Sequence, residues 1–325
     1  MVISKTPYRI SFFGGGTDYP SWFNKNEGHV ISASIDKFLY ISCRHLPPFF
    51  DHKIRLVYSK IEEGNKVSDL KHKSAKAVLK YLNINKDIEI HYDGDLPARS
   101  GIGSSSAFTI GLLNALYSYK NKQISKKNLA TKGIFIEQKI IKENVGSQDQ
   151  IATSFGGLNY IKFKKNSSFN VNKIKFNDNV KKKLFKNILL FHTGIFRTAD
   201  DISKDYINKL NLKSKYMYSI YDIVNEAKKN LESGNIDDFG KLLNETWMMK
   251  KQISKLITNN YINEIYNQAI ELGAFGGKLL GAGGGGFMMF YMPQKKQKLL
   301  INKFSKLLHV PISFENNGSS IVYKS

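Results

Sequence analysis

The chain has 325 residues, 42% hydrophobic and 12% aromatic, with a single cysteine and a formal net charge of +22. That length allows two lobes around sizeable cores; the lone Cys43 excludes an intrachain disulfide and a multi-thiolate zinc site; and no apolar run reaches the roughly 20 residues that span a bilayer. Only five of the 49 basic residues are arginine (Arg9, Arg44, Arg55, Arg99 and Arg197), and nucleic-acid readers depend on arginine's planar fork, so the charge reads as a solvated lysine surface that favours encounter with anionic metabolites.

Residues 2–13, 29–45, 54–60 and 87–93 alternate or run apolar with β-branched side chains and predict strands. Helical spacing runs over 74–82, 108–120 and 129–143, and 157–163 reads as another strand. The lysine- and asparagine-rich stretch 164–183 is expected to connect two lobes, residues 1–175 and 176–325, although its Ile/Phe alternation could hide a strand. Residues 188–191 predict a buried strand, 200–230, 236–256 and 260–272 predict helices, and 287–292 and 319–323 predict closing strands around a further helix. Mixed order of this kind argues an α+β fold. Residues 1–9 lack a signal-peptide core, which with Cys43 fits a cytoplasmic setting.

Three glycine-rich segments carry the chemistry: residues 7–19 (PYRISFFGGGTDY), 96–107 (LPARSGIGSSSA) and 278–287 (KLLGAGGGGF). The middle one opens a helix, where unpaired backbone N–H groups and the positive dipole end form a phosphate site. A serine N-cap with a glycine turn explains one serine, not the run Gly101-Ile102-Gly103-Ser104-Ser105-Ser106. No glycine pair precedes the lysine of a P-loop, and the Gly281, Gly283, Gly286 spacing is followed by a strand where a dinucleotide fold requires a helix. Ser147-Gln148-Asp149-Gln150 has the form of a capping box, placing Asp149 in a helix's first turn. Alone, Asp149 would read as a charge compensating the helix dipole, Glu137 as a solvated helical residue, Arg9 as a surface residue and Asp18 as a turn residue. His29, His45, His52 and His192 lack metal-ligand spacing.

Those three segments, in that order, resemble the GHMP kinase superfamily. The run Phe13-Gly14-Gly15-Gly16-Thr17-Asp18-Tyr19-Pro20 and residues 191–199 look like its sugar-1-kinase branch, which acts on heptose 7-phosphate or fucose. The resemblance implies a ribosomal S5 domain 2-like N-terminal lobe and an α/β-plait-like C-terminal lobe. It implies ATP as co-substrate, with its phosphates wrapped by Pro97, Arg99, Ser100, Gly101, Ile102, Gly103, Ser104, Ser105 and Ser106. It implies Mg²⁺ held by Ser105 and Glu137, an inventory that suits magnesium's preference for one or two protein oxygens. Asp149 follows Glu137 by 12 positions, as in galactokinase-like members, and would accept the proton of the sugar hydroxyl. Arg9 would neutralise the transferring phosphoryl group or hold Asp149. Gly15, Gly16, Thr17 and Asp18 would bind the sugar, with Thr193, Gly283, Gly284 and Arg197 as further substrate contacts. Arg197 is assigned to the substrate's own phosphate, since arginine makes paired contacts to phosphate oxygens.

The implied reaction is phosphorylation of the anomeric hydroxyl of a phosphorylated heptose, yielding a 1,7-bisphosphate on the way to nucleotide-activated heptose for surface polysaccharide. The implied partners are ATP and a phosphorylated sugar, with no nucleic acid and no membrane, in a monomer or homodimer. The alternatives are fucokinase or another neutral-sugar 1-kinase, and a polyanion-binding relative without catalysis; retention of Arg9, Asp18, Ser105, Glu137 and Asp149 together argues against the last.

Overall fold

The structure, a computed structural model, describes residues 1–196 and 199–325. In chain order its elements are β1 (Val2–Phe13), α1 (Pro20–Asn26), β2 (Gly28–His45), β3 (Ile54–Val57), β4 (Ile61–Gly64), α2 (Lys73–Tyr81), β5 (Ile88–Gly94), α3 (Ser104–Tyr119), α4 (Lys126–Phe135), α5 (Gln148–Phe155), β6 (Leu158–Phe163) and β7 (Phe169–Lys173). They continue with α6 (Asp178–Lys186), β8 (Ile188–His192), α7 (Ala199–Leu210), α8 (Ser214–Ser233), α9 (Ile236–Ile253), α10 (Asn260–Glu271), β9 (Gly276–Leu279), β10 (Phe287–Tyr291), α11 (Gln294–Lys303), β11 (Leu308–His309) and β12 (Ser320–Lys324).

Two sheets organise these elements, as an α+β chain requires. The first has eight strands in the order β12-β1-β2-β5-β3-β4, with β6 paired to β2 and β7 paired to β6. Among the described residues only β3 and β5 pair in parallel. The second is the antiparallel order β11-β8-β10-β9. α3 is buried around most of its circumference, from Ser104 to Leu116. A helix apolar on all sides belongs in an interior, and α3 packs against β1, β2 and α5. Its first turn is thereby held still where the glycine loop meets it. Among the described residues no helix is long and apolar enough to cross a membrane.

The polar stretch 164–183 is not a plain connection. It forms β7 and most of α6, whose Leu184 and Phe185 are buried. Lysine-rich helices of this kind hide a narrow apolar stripe behind charge. The last strand, β12, returns to pair with β1, so the chain after residue 175 also completes the first sheet. One continuous core joins the sheets: Phe12 and Phe13 of β1 meet Phe239 of α9 edge to face at 5.2 and 4.9 Å, and the same cluster contains Phe287, Met289 and Tyr291 of β10. Phe239→Ala should therefore destabilise the protein by about 3–5 kcal/mol. Both sheets should still be lost in a single thermal transition, read by calorimetry; two separate transitions would show independent lobes.

Candidate active site

β1 carries Arg9 into the interior, where its side chain is only 4% exposed. A buried guanidinium must find acceptors for its fixed fork of donors. Nε and Nη2 donate to Oδ1 and Oδ2 of Asp149 at 2.7 and 2.6 Å, and Nη1 donates to the Gly101 carbonyl at 2.7 Å. The backbone N–H of Arg9 adds a bond to the Ile102 carbonyl at 3.1 Å. One side chain thus ties the catalytic candidate on α5 to the glycine loop before α3. Asp149 lies in the first turn of α5, as expected, and its side chain stays 26% exposed. The capping box itself does not form: Ser147 makes no side-chain cap, and its hydroxyl accepts from Gln138. Gln148 instead donates to Asp149 at 3.2 Å and accepts from Ser11 at 2.8 Å, steadying the carboxylate.

The residue at the N-cap of α3 is Gly103, in the left-handed region with φ 77°, and no side chain caps this helix. That leaves the start of a buried helix open to an anion. Ser104 does not cap; its hydroxyl accepts from Arg99 N–H at 3.1 Å. The Ser100 hydroxyl donates to the Pro97 carbonyl at 2.6 Å, and Ile102 is fully buried, so both brace the loop by their side chains. Gly281–Gly286 packs directly on it. A Cβ on Gly101, itself at φ 85°, would lie 2.4 Å from the Leu280 carbonyl oxygen, and Phe287 N–H donates to the Ser100 carbonyl at 3.1 Å. The second sheet therefore props the loop of the first.

Glu137 overturns its surface reading: it is completely buried. The expected single helix over 129–143 ends as α4 at Phe135 and continues as a π-helical turn over Ile136–Ile141, an irregularity common at functional sites. Burial pushes the Glu137 carboxyl up to about 7. Ser106 donates to its Oε2 at 2.8 Å, and Gln150 donates to the same atom. Ser106, which is not part of the expected magnesium pair Glu137 and Ser105, is the serine bonded to the carboxylate. Successive residues on a helix lie about 100° apart, so Ser106 faces the carboxylate while Ser105 is exposed. Oε1 of Glu137 is buried without a hydrogen-bond partner. An orphaned carboxylate oxygen beside serine hydroxyls is a hard donor set that fits Mg²⁺ completed by water and phosphate.

Asp18 is nearly buried, which raises its carboxyl above the ordinary value. It accepts from Gly16 N–H at 2.9 Å and from Gln148 N–H at 3.3 Å, so the Gly14–Asp18 turn docks on the start of α5. Thr17 serves the turn, donating to the Gly14 and His29 carbonyls and accepting from His29 N–H. The Gly15 carbonyl accepts from Tyr206 at 3.2 Å, and the Tyr206 hydroxyl lies against Gly16. Three further expected substrate contacts, Thr193, Gly283 and Gly284, also bond or pack within the protein. Thr193 is buried and donates to the Gly286 carbonyl at 2.9 Å, a strut of the glycine loop. Gly283 lies against the Ile257 backbone, and Gly284 N–H donates to the Ile257 carbonyl at 2.9 Å. Arg197 lies outside the described residues. Lys250, Lys278 and Tyr206 escaped the sequence reading, although a lysine on the stripe Leu243, Thr246, Trp247, Lys250, Ile253 was a legible sign of an inward-facing charge.

A helix start left uncapped beside a clamped carboxylate, with a buried carboxylate and serine hydroxyls one turn away, suits a phosphotransferase. Comparison with known proteins agrees. Residues 69–157 match the GHMP kinases N terminal domain and residues 227–309 the GHMP kinases C terminal. The chain is 32% identical over 314 residues to D-glycero-alpha-D-manno-heptose 7-phosphate kinase of Campylobacter jejuni, covering 92% of each. Its fold is similar to the crystal structure of a D-glycero-D-manno-heptose 1-phosphate kinase from Bacteroides thetaiotaomicron, with a TM-score of 0.82 at 22% identity over 100% of both chains. It is also similar to mevalonate kinase of Methanococcus jannaschii, with a TM-score of 0.74 at 22% identity over 96% of this chain and 98% of that one. The chain belongs to the GHMP kinase family. It is a phosphotransferase with an alcohol group as acceptor, and GHMP kinases use ATP, typically with Mg²⁺.

A Cβ on Gly103 would sit 3.3–3.4 Å from the Arg9 side chain in a backbone conformation that β-branched residues avoid. Gly103→Val should therefore weaken ATP binding at least about tenfold, a loss of about 1.4 kcal/mol, measured calorimetrically on folded protein. Unchanged affinity would remove this loop from the nucleotide site.

Proposed function

We propose that the protein is a sugar kinase that phosphorylates the anomeric hydroxyl of a heptose 7-phosphate, giving the 1,7-bisphosphate for nucleotide-activated heptose and surface polysaccharide. The observation that carries this reading is the 32% identity over 92% of the chain to a heptose 7-phosphate kinase, joined to the Gly14–Asp18 turn docked on α5 beside Asp149. Residues 1–175 supply the phosphate loop and the sugar turn, and 176–325 supply the glycine loop that supports them.

ATP binds with its phosphates over Gly101–Ser106, received by backbone N–H groups and serine hydroxyls. Glu137 and Ser105, with Ser106 beside them on the same helical turn, would hold Mg²⁺, which would supply positive charge to the phosphates. The sugar sits against Gly15–Asp18, with Asp18 accepting from a sugar hydroxyl. The C1 oxygen attacks the γ-phosphorus, the bond to the bridging oxygen of ADP breaks, and the hydroxyl proton passes to the Asp149 carboxylate. Phosphoryl transfer through a loose transition state asks little of a base. The fork of Arg9 chiefly fixes where that carboxylate points, and its charge faces the group in flight.

Two outcomes follow. ADP release across a panel of sugars and sugar phosphates should be fastest with D-glycero-D-manno-heptose 7-phosphate, with a second phosphorus signal at C1 in the product by ³¹P NMR; preference for fucose or another neutral sugar would replace the heptose assignment. Asp149→Asn keeps the shape and removes the proton acceptor, so kcat should fall by at least about 10²-fold while affinities for ATP and sugar change little. Near-normal kcat would reduce Asp149 to a helix-terminal charge.

A further inference from the structure

Two lysines lie buried where the sheets meet beside the Gly14–Asp18 turn. Lys250, on α9, is 6% exposed, and Lys278, on β9, is 2% exposed. Each ammonium group has three donors, yet each makes one hydrogen bond, to a main-chain carbonyl: Lys250 to Gly281 at 2.8 Å and Lys278 to Phe12 at 3.0 Å. Among the described residues neither forms an ion pair. A buried cation without a counter-charge is costly to maintain, and two together cost more. Burial pulls Lys250 down to about 8, and burial with Lys250 as a neighbour holds Lys278 well below the ordinary lysine value.

Their surroundings say what they await. The carbonyl that anchors Lys250 belongs to the loop propping Gly101, and the one that anchors Lys278 belongs to Phe12, two residues before the glycine turn. Both lysines interact electrostatically with Asp18 and Arg9. Lys250 also lies 5.9 Å from the centre of the Tyr206 ring, whose hydroxyl holds the Gly15 carbonyl. The groups facing Lys250 are thus Arg9, Asp18, Lys278 and Tyr206. The Asp149 carboxylate is taken by Arg9, leaving Asp18 as the negative charge near two lysines. An anion entering with the acceptor would supply the missing counter-charge and use the spare donors.

We propose that Lys250, backed by Lys278, receives the phosphate group carried by the acceptor sugar and so selects a phosphorylated acceptor over a neutral one. This rests on the reading of the protein as a heptose 7-phosphate kinase. Lys250 is the contact, and Lys278 is a positioning residue that favours an anion beside it.

The test compares the native protein, Lys250→Met and Lys250→Arg, each checked for an unchanged melting transition. Heptose 7-phosphate, the unphosphorylated heptose and ATP are titrated in turn. Losing a charge-assisted hydrogen bond to phosphate should raise KM for heptose 7-phosphate at least about tenfold in Lys250→Met. The KM for ATP and the slow turnover of unphosphorylated heptose should stay within about threefold of native, and Lys250→Arg should recover part of the loss. In the native protein, kcat/KM for heptose 7-phosphate should fall as pH rises through about 8, where Lys250 loses its proton. The sugar phosphate itself is already a dianion there, and Lys250→Arg should not show that fall. The pH profile needs no variant, so it stands even if Lys250→Met does not fold. A native protein active on heptose 7-phosphate, with KM unchanged in Lys250→Met or a flat profile from pH 7 to 9, overturns the Lys250 assignment and leaves the kinase reading intact. A rise in KM for ATP alone gives Lys250 to the nucleotide and also overturns it. A native protein inactive on heptose 7-phosphate overturns both readings.

Discussion

Arg9 and its three acceptors set the geometry on which the site depends. A guanidinium 4% exposed, clamped to both oxygens of Asp149 and to the Gly101 carbonyl, joins β1, the start of α5 and the glycine loop before α3. Its stabilising value is modest, because desolvation offsets much of the attraction between buried charges. What it contributes is direction: a planar fork leaves the carboxylate a single orientation. Gln148 and Ser11 hold the remaining freedom of Asp149, and Asp18 docks on the backbone beside it. Moving any of these groups moves the others.

The second sheet supports the glycine loop before α3 without supplying it. Its glycine-rich connection approaches so closely that side chains are excluded on both sides, with Gly101 against Leu280 and Gly281 against Gly101. Thr193 and Phe287 bond into the same contact. The aromatic cluster of Phe12, Phe13 and Phe239 lies in the core directly behind. Close backbone packing over an apolar core gives a rigid support, which a reaction governed by positioning requires.

Much of this was legible in the residues. Long alternating or apolar runs mark β1, β2 and β5, and α3 follows its glycine loop as the helix-start chemistry demands. Other features were hidden for physical reasons. β7 and α6 lie beneath a lysine- and asparagine-rich surface whose polarity masks short apolar patterns. β9 contains two glycines and a lysine, yet all four of its residues are buried. The hydrogen-bond partner of Glu137 depends on which serine faces inward, and a one-residue step turns a helix by about 100°, so the motif alone did not show that Ser106 bonds the carboxylate while Ser105 stays exposed. The π-helical turn that carries Glu137 leaves no mark in periodicity. Lys250 was visible as a charge on an apolar stripe, but its meaning required Gly281, Asp18 and Tyr206 around it.

The central claim is that Arg9 aims Asp149 at the anomeric hydroxyl of a sugar lying between the Gly14–Asp18 turn and the phosphate loop. A crystal structure of the complex with D-glycero-D-manno-heptose 7-phosphate, Mg²⁺ and a non-hydrolysable ATP analogue tests it most directly. The C1 hydroxyl should lie within about 2.6–3.2 Å of an Asp149 carboxylate oxygen and in line with the γ-phosphate over Gly101–Ser106. A sugar whose C1 hydroxyl points away from Asp149, or a γ-phosphate away from that loop, would contradict the account.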